Sequence, residues 1–94
     1  MNDLQLDRSI RSIGKTCFVK YYGMFSRRNL ANEEVVEALM SNEGYMESGA
    51  RTRVSQSRRI INSGRAKDAL DIIALSSRLP EKVVSEARRL ASTM

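Results

Sequence analysis

Apolar residues in this chain recur at steps of three and four nearly from end to end, a spacing that leaves room for little besides α-helix. No convincing run of strict alternation interrupts it, so strand signals are almost absent. Leu6, Ile10, Ile13, Cys17, Tyr21 and Met24 form one stripe, which predicts a helix from about Leu4 to Phe25. Gly14 inside it costs about 1 kcal/mol relative to alanine and marks a kink or a close contact. Ser26 to Ala31 reads as a basic connector.

Asn32 is placed to cap a second helix, with Glu33 and Glu34 in the first turn, where the helix dipole favours negative charge. Val35, Val36, Leu39 and Met40 give it an apolar side, and Glu43-Gly44 supplies a stop near Asn42. Tyr45 to Gly49 then reads as a short loop. A third helix, about Ala50 to Ser63, has only the thin stripe Ala50, Val54, Ser57 and Ile61, supplemented by Ile60, before Gly64 ends it. The fourth, about Arg65 to Ser76, is better filled by Ala66, Ala69, Leu70, Ile73 and Ala74. Pro80 suits the first turn of a fifth, whose Val83, Val84, Ala87, Leu90 and Ala91 share a face.

Connections this short set successive helices against one another. The expected fold is all-α, with residues 1–94 a single helical domain forming a compact array of four to five short helices. The stretch Leu70 to Arg89 can also be laid out as a helix-turn-helix in the C-terminal half. That frame puts Ala74 at the small-residue position, Leu79 after the turn and Val84 and Ala87 at buried positions. It also puts Arg78 where a left-handed glycine is usual.

Chemistry is thinly represented. The chain has no histidine and one cysteine, so no disulfide or thiol-imidazole metal site is expected. Cys17 falls on the apolar stripe and reads as a small buried hydrophobe. Gly14-Lys15-Thr16 resembles the end of a phosphate loop, but Ser9 stands where the motif needs its first glycine. Glu33, Glu34 and Glu37 are accounted for by the helix dipole. We therefore expect a non-enzyme with no cofactor, no metal and no small-molecule substrate. The start MNDLQLDRSIRS lacks the basic-then-apolar order of a secretory signal, and no apolar stretch reaches membrane-spanning length. A cytoplasmic protein without a membrane partner is the expectation.

Charge is the informative feature. The net charge is +5 and the pI about 9.9. Residues 33–47 carry only acids, and the basic run 8–32 is largely offset by the acids on either side of it. Ser48 to Lys67 holds Arg51, Arg53, Arg58, Arg59, Arg65 and Lys67 with no acid among them. On a helical wheel Arg51, Thr52, Ser55, Arg58, Arg59 and Asn62 lie away from Val54 and Ile61, while Arg53 lies near Ile60. Guanidinium forks among hydroxyl and amide donors are the groups that grip phosphate oxygens.

The bland reading is a solvated face paired with the acids of 33–47. The run 8–29 interleaves cations with Phe18, Tyr21, Tyr22 and Phe25; these rings are expected in the core, with Tyr22 the one at its edge. In the helix-turn-helix frame, Lys82, Arg88 and Arg89 of the last helix would reach a DNA groove or its phosphates, beside Glu81 and Ser85. The sequence thus points to nucleic acid as the partner, DNA ahead of RNA. The rival is a protein-interaction module or homodimeric adaptor that binds an acidic protein surface. In a dimer, the acidic helix 33–42 of one copy would meet the basic helix of another, with Met24, Met40 and Met46 at the contact.

Overall fold

A computed structural model describes all 94 residues and bears out the all-α expectation. Seven helices follow one another: α1 (Asp3–Ile13), α2 (Lys15–Lys20), α3 (Tyr22–Phe25), α4 (Asn32–Glu43), α5 (Glu47–Asn62), α6 (Ala66–Ala74) and α7 (Glu81–Ser92). The number exceeds four or five because the single helix expected over Leu4 to Phe25 is three.

The main break is at Gly14, whose φ of 89° and ψ of 130° suit glycine and strain any residue with a Cβ. The turn loses no hydrogen bond on the glycine itself. Its N–H donates to Ile10 O at 2.9 Å, closing α1, and its carbonyl accepts from Phe18 N at 3.1 Å, opening α2. The change of direction lets α1 lie on α5 and α6 while α2 packs against α7. Tyr21, at φ −106° and ψ 13°, makes the milder break before α3.

Gly44, left-handed at φ 72° and ψ 19°, ends α4 where the sequence placed the stop. The N-terminus differs from expectation. Ala31 occupies the cap, and its N–H donates to Glu34 Oε2 at 2.9 Å. Asn32 is already helical, and its side-chain oxygen accepts from Arg58 at 2.6 Å instead. The loop expected over Tyr45 to Gly49 is shorter, because α5 starts at Glu47, whose carboxylate favours a helix start. α4 and α5 thereby form a hairpin whose far ends are tied by Asn32 and Arg58.

On the other side of α5 lies α1, joined by Ser9 Oγ donating to Gln56 Oε1 at 2.7 Å. Beyond the end of α5, Arg65 holds the start of α1, donating to Met1 O and to Asp3, each at 2.7 Å. α5 therefore sits between α1 and α4. It buries Ala50, Val54, Ser57 and Ile60, with Ile61 only half-buried, so Ile60 takes the core position the sequence assigned first to Ile61. Met40 is exposed, while Val35, Val36 and Leu39 are buried. Phe18, Leu6, Ile10, Ile13, Leu39, Ile60, Leu70 and Ile73 are the largest wholly enclosed side chains.

α6 packs on α7 through Leu75 to Pro80, a connector longer than the three or four residues of a helix-turn-helix turn. No residue other than glycine has positive φ, so Arg78 is not left-handed. No helix is long and apolar enough to cross a membrane.

Two glycines separate conformation from space. Gly14→Ala is expected to destabilise the fold by about 1–3 kcal/mol through the strained φ alone, since its Cβ would meet only Cys17 Cβ at 4.0 Å. Gly23→Ala, helical with open space around it, is expected to stabilise by about 0.5–1 kcal/mol. Urea denaturation monitored by circular dichroism measures both, and equal effects would refute the assignment.

Candidate nucleic-acid interface

The structure divides the nine cations expected at a nucleic-acid surface into groups with different partners. Arg51 grips Glu33 with both terminal nitrogens, at 2.6 and 2.8 Å, and its Nε lies 3.5 Å from Glu47. That fork holds the Glu33 carboxyl below its ordinary range and pushes the guanidinium up. Arg65 meets Asp3 and Asp68, Lys67 meets Asp71 at 2.9 Å, and Arg89 meets Glu86. The acid-free segment is thus partly matched by acids from α1, α4 and α6. The acidic and basic helices of the supposed charge-paired dimer also make their contact inside one chain.

Arg53 faces inward. Its guanidinium lies 3.8 Å from the Tyr45 ring centroid, and Nη1 donates to Gly49 O at 3.2 Å. Its Nε is buried without a partner, and so is the hydroxyl of Ser57. Nearby Cys17 is buried as expected, and burial pushes its thiol pKa up.

Arg58 is the clearest departure from the sequence reading, which set it beside Arg59 facing solvent. It is half-buried and donates to Phe25 O at 3.3 Å, Arg27 O at 3.1 Å and Met24 O at 3.4 Å, as well as to Asn32. Carbonyls at a helix C-terminus lack intrahelical donors, and a guanidinium fork satisfies several together. Arg58 therefore caps α3 and moors the connector that carries Arg27 and Arg28.

Arg59 is exposed, as expected, and has no acid partner. It lines a groove of about 310 Å³ between α1 and α5 with Gln5, Arg8, Ser9, Ser12 and Gln56, all of them polar. Beyond α5 lies a cleft of about 560 Å³, lined by Phe25, Ser26, Arg27, Arg28, Asn32, Arg58, Ile61 and Asn62. No carboxylate lines either one. Arg8, Arg27 and Arg28 were not among the expected contacts, because the run 8–32 looked neutralised by neighbouring acids. In the fold those acids pair with other cations of the same run, Asp7 with Arg11 and Glu43 with Lys20, and leave Arg8, Arg27 and Arg28 unpaired. Lys82 and Arg88, on α7, are exposed and unpaired, and Lys82 borders a separate groove against α2.

The aromatic residues are not available at these grooves. Phe18, Tyr21 and Phe25 are buried, and Tyr22 packs edge-on to Phe18 with centroids 5.6 Å apart. Burial, and then its hydrogen bond to Glu43, push the Tyr21 hydroxyl pKa up.

Two outcomes are expected. Arg58→Ala should cost about 2–3 kcal/mol by leaving α3 uncapped, whereas Arg59→Ala should stay within about 0.5 kcal/mol, as for an exposed site; thermal melts compare them. Glu43 accepts from Lys20 Nζ at 2.7 Å and Tyr21 Oη at 2.6 Å, which holds its carboxyl below the ordinary range. A depressed folded pKa stabilises above the unfolded value, about 4.3 for glutamate, and that contribution disappears as pH falls through the folded value. Glu43→Gln should therefore shallow the loss of stability below about pH 4 in acid titrations followed by circular dichroism. No family model, curated protein or solved structure matches this chain.

Proposed function

We propose that the protein binds nucleic acid by its phosphates, without chemistry, through the surface around the C-terminal half of α5. The observation that carries this reading is the pair of acid-free grooves flanking that helix, which hold the unpaired Arg8 and Arg59 on one side and Arg27 and Arg28 on the other. Exposed arginines with no internal partner are free to exchange counterions for phosphate oxygens. Arg58 supports the cleft from within by holding the connector, and the carboxamides of Gln5 and Asn62 add neutral donors. The contact set differs from the one the sequence suggested: Arg51, Arg65, Lys67 and Arg89 are held by carboxylates, and Arg53 by Tyr45.

A contribution from α7, read as the second helix of a helix-turn-helix, keeps Lys82 and Arg88 in its favour. The long connector and the ordinary backbone at Arg78 weigh against it. Docking on an acidic protein surface would draw on the same free arginines.

Contact with three to four phosphates, by Arg8, Arg27 and Arg28 and, where no base is read, Arg59, implies that affinity falls by about two decades between 50 and 200 mM salt. Titrating a labelled random duplex by fluorescence anisotropy measures this. Arg8→Glu with Arg59→Glu should weaken binding at least tenfold and lower the salt slope, while Lys67→Gln, at a paired position, should change little. Salt-independent affinity would refute the proposal, and binding to an acidic protein with none to nucleic acid would favour the rival.

A further inference from the structure

We infer that the nucleic acid is duplex DNA and that α5, not the last helix, is the element laid in its major groove, with Arg59 and Asn62 at the base edges. This rests on the nucleic-acid reading above and adds the form of the ligand and the reading residues. Single strands are held without sequence preference by stacking bases on aromatic faces. Neither groove offers one: Phe25 lines the cleft but is 2% exposed, and Tyr45 is covered by Arg53. Phosphate contact without stacking fits a closed double helix, whose bases are already stacked on one another.

The placement of charge selects the groove. With α1 and α4 packed on its flanks, α5 offers its outward ridge to the B-form major groove, about 12 Å wide, and the grooves that border it are offered to the two phosphate backbones. The two grooves of the protein lie on opposite flanks of α5, so Arg8 is offered to one phosphate backbone and Arg27 with Arg28 to the other. Between them the outward face of α5 bears exposed, short polar side chains at Thr52, Ser55 and Asn62 beside Arg59, with nothing apolar to desolvate. Glu33, the acid of α4 that shares a shallow groove with Ser55, is paired with Arg51. An A-form duplex has a deep, narrow major groove that does not admit a helix, so RNA duplexes are disfavoured.

Arg59 and Asn62 are three residues apart and therefore neighbours on one helix face. A guanidinium matches O6 and N7 of guanine, and a carboxamide matches N6 and N7 of adenine. The free guanidinium of Arg59 and the free carboxamide of Asn62 are thus expected to select a guanine and an adjacent adenine. α7 offers no equivalent: Arg89 is held by Glu86, and Lys82 and Arg88 do not flank a pair of basic grooves.

The test uses the full chain. Anisotropy at one salt concentration compares duplex DNA, single-stranded DNA and duplex RNA of one sequence; a randomised duplex pool is then selected with the native protein, Arg59→Ala, Asn62→Ala and Lys82→Ala/Arg88→Ala. Duplex DNA is expected to bind at least tenfold tighter than the others, and the selected motif to contain a guanine and an adenine. Arg59→Ala should flatten the guanine preference and Asn62→Ala the adenine, each by roughly 5- to 150-fold, and 7-deazaguanine at the selected guanine should weaken native binding. All variants should melt as the native protein does, because each altered side chain is exposed. Tighter binding to single strands or RNA, a motif altered only by the α7 changes, or salt-dependent binding with no motif would each overturn the inference while leaving phosphate binding standing. Failure to bind any nucleic acid at low salt would overturn the underlying function and the inference with it.

Discussion

The backbone at Gly14 is the constraint on which the rest of the arrangement depends. One continuous helix from Leu4 to Phe25 would send its apolar stripe along a single line and leave one side of the core open. The glycine's φ of 89° turns the chain while both of its own hydrogen bonds are kept, so α1 can cover α5 and α6 as α2 reaches α7. Phe18 and Phe25 then fill the middle rather than extending a stripe, with Tyr22 packed on Phe18 at the edge. A side chain at this position would strain the turn that creates the domain's two sides.

That turn also explains why α5 bears so many arginines on so thin an apolar stripe. With α1 on one flank and α4 on the other, α5 needs few large side chains of its own to be held, and Ala50, Val54, Ser57 and Ile60 suffice. Its remaining positions are available for other work. Arg51 fastens it to α4, Arg58 caps the truncated helix α3, Arg53 seals Tyr45, and Arg59 is left outward. Four arginines on one helix thus differ in partner, in burial and in freedom to meet a ligand.

Electrostatics in this chain is settled by reach. Guanidinium groups extend far enough to find carboxylates and carbonyls on other helices, and charge-assisted hydrogen bonds are strong enough to order them there. Pairing of Arg51, Arg65, Lys67 and Arg89 removes charge from the surface that the net total suggested. Around α5, the positive surface that survives is built instead from residues remote in sequence: Arg8, the Arg27–Arg28 connector and Arg59.

Helical content, the glycine stops at Gly44 and Gly64, and the apolar faces of α1, α4, α6 and α7 were legible in the residues, because each depends on spacing over one or two turns. The three-way break of the first helix was marked only by Gly14, whose effect depends on a backbone angle that spacing does not reveal. The site was half legible. Arg59 faces solvent as the wheel places it, whereas Arg58, its neighbour in sequence and on the wheel, turned inward to carbonyls more than thirty residues away. Arg65 was taken up by Asp3, 62 residues distant. Local sequence thus determined which segments are helices and where cations are dense, since propensity and periodicity are short-range properties. Lys67 and Arg89 pair within one turn of their own helices, whereas tertiary structure decided that Arg51, Arg58 and Arg65 are taken up by distant segments and that Arg59 is left free, since those contacts require two chain segments to be brought within about 3 Å.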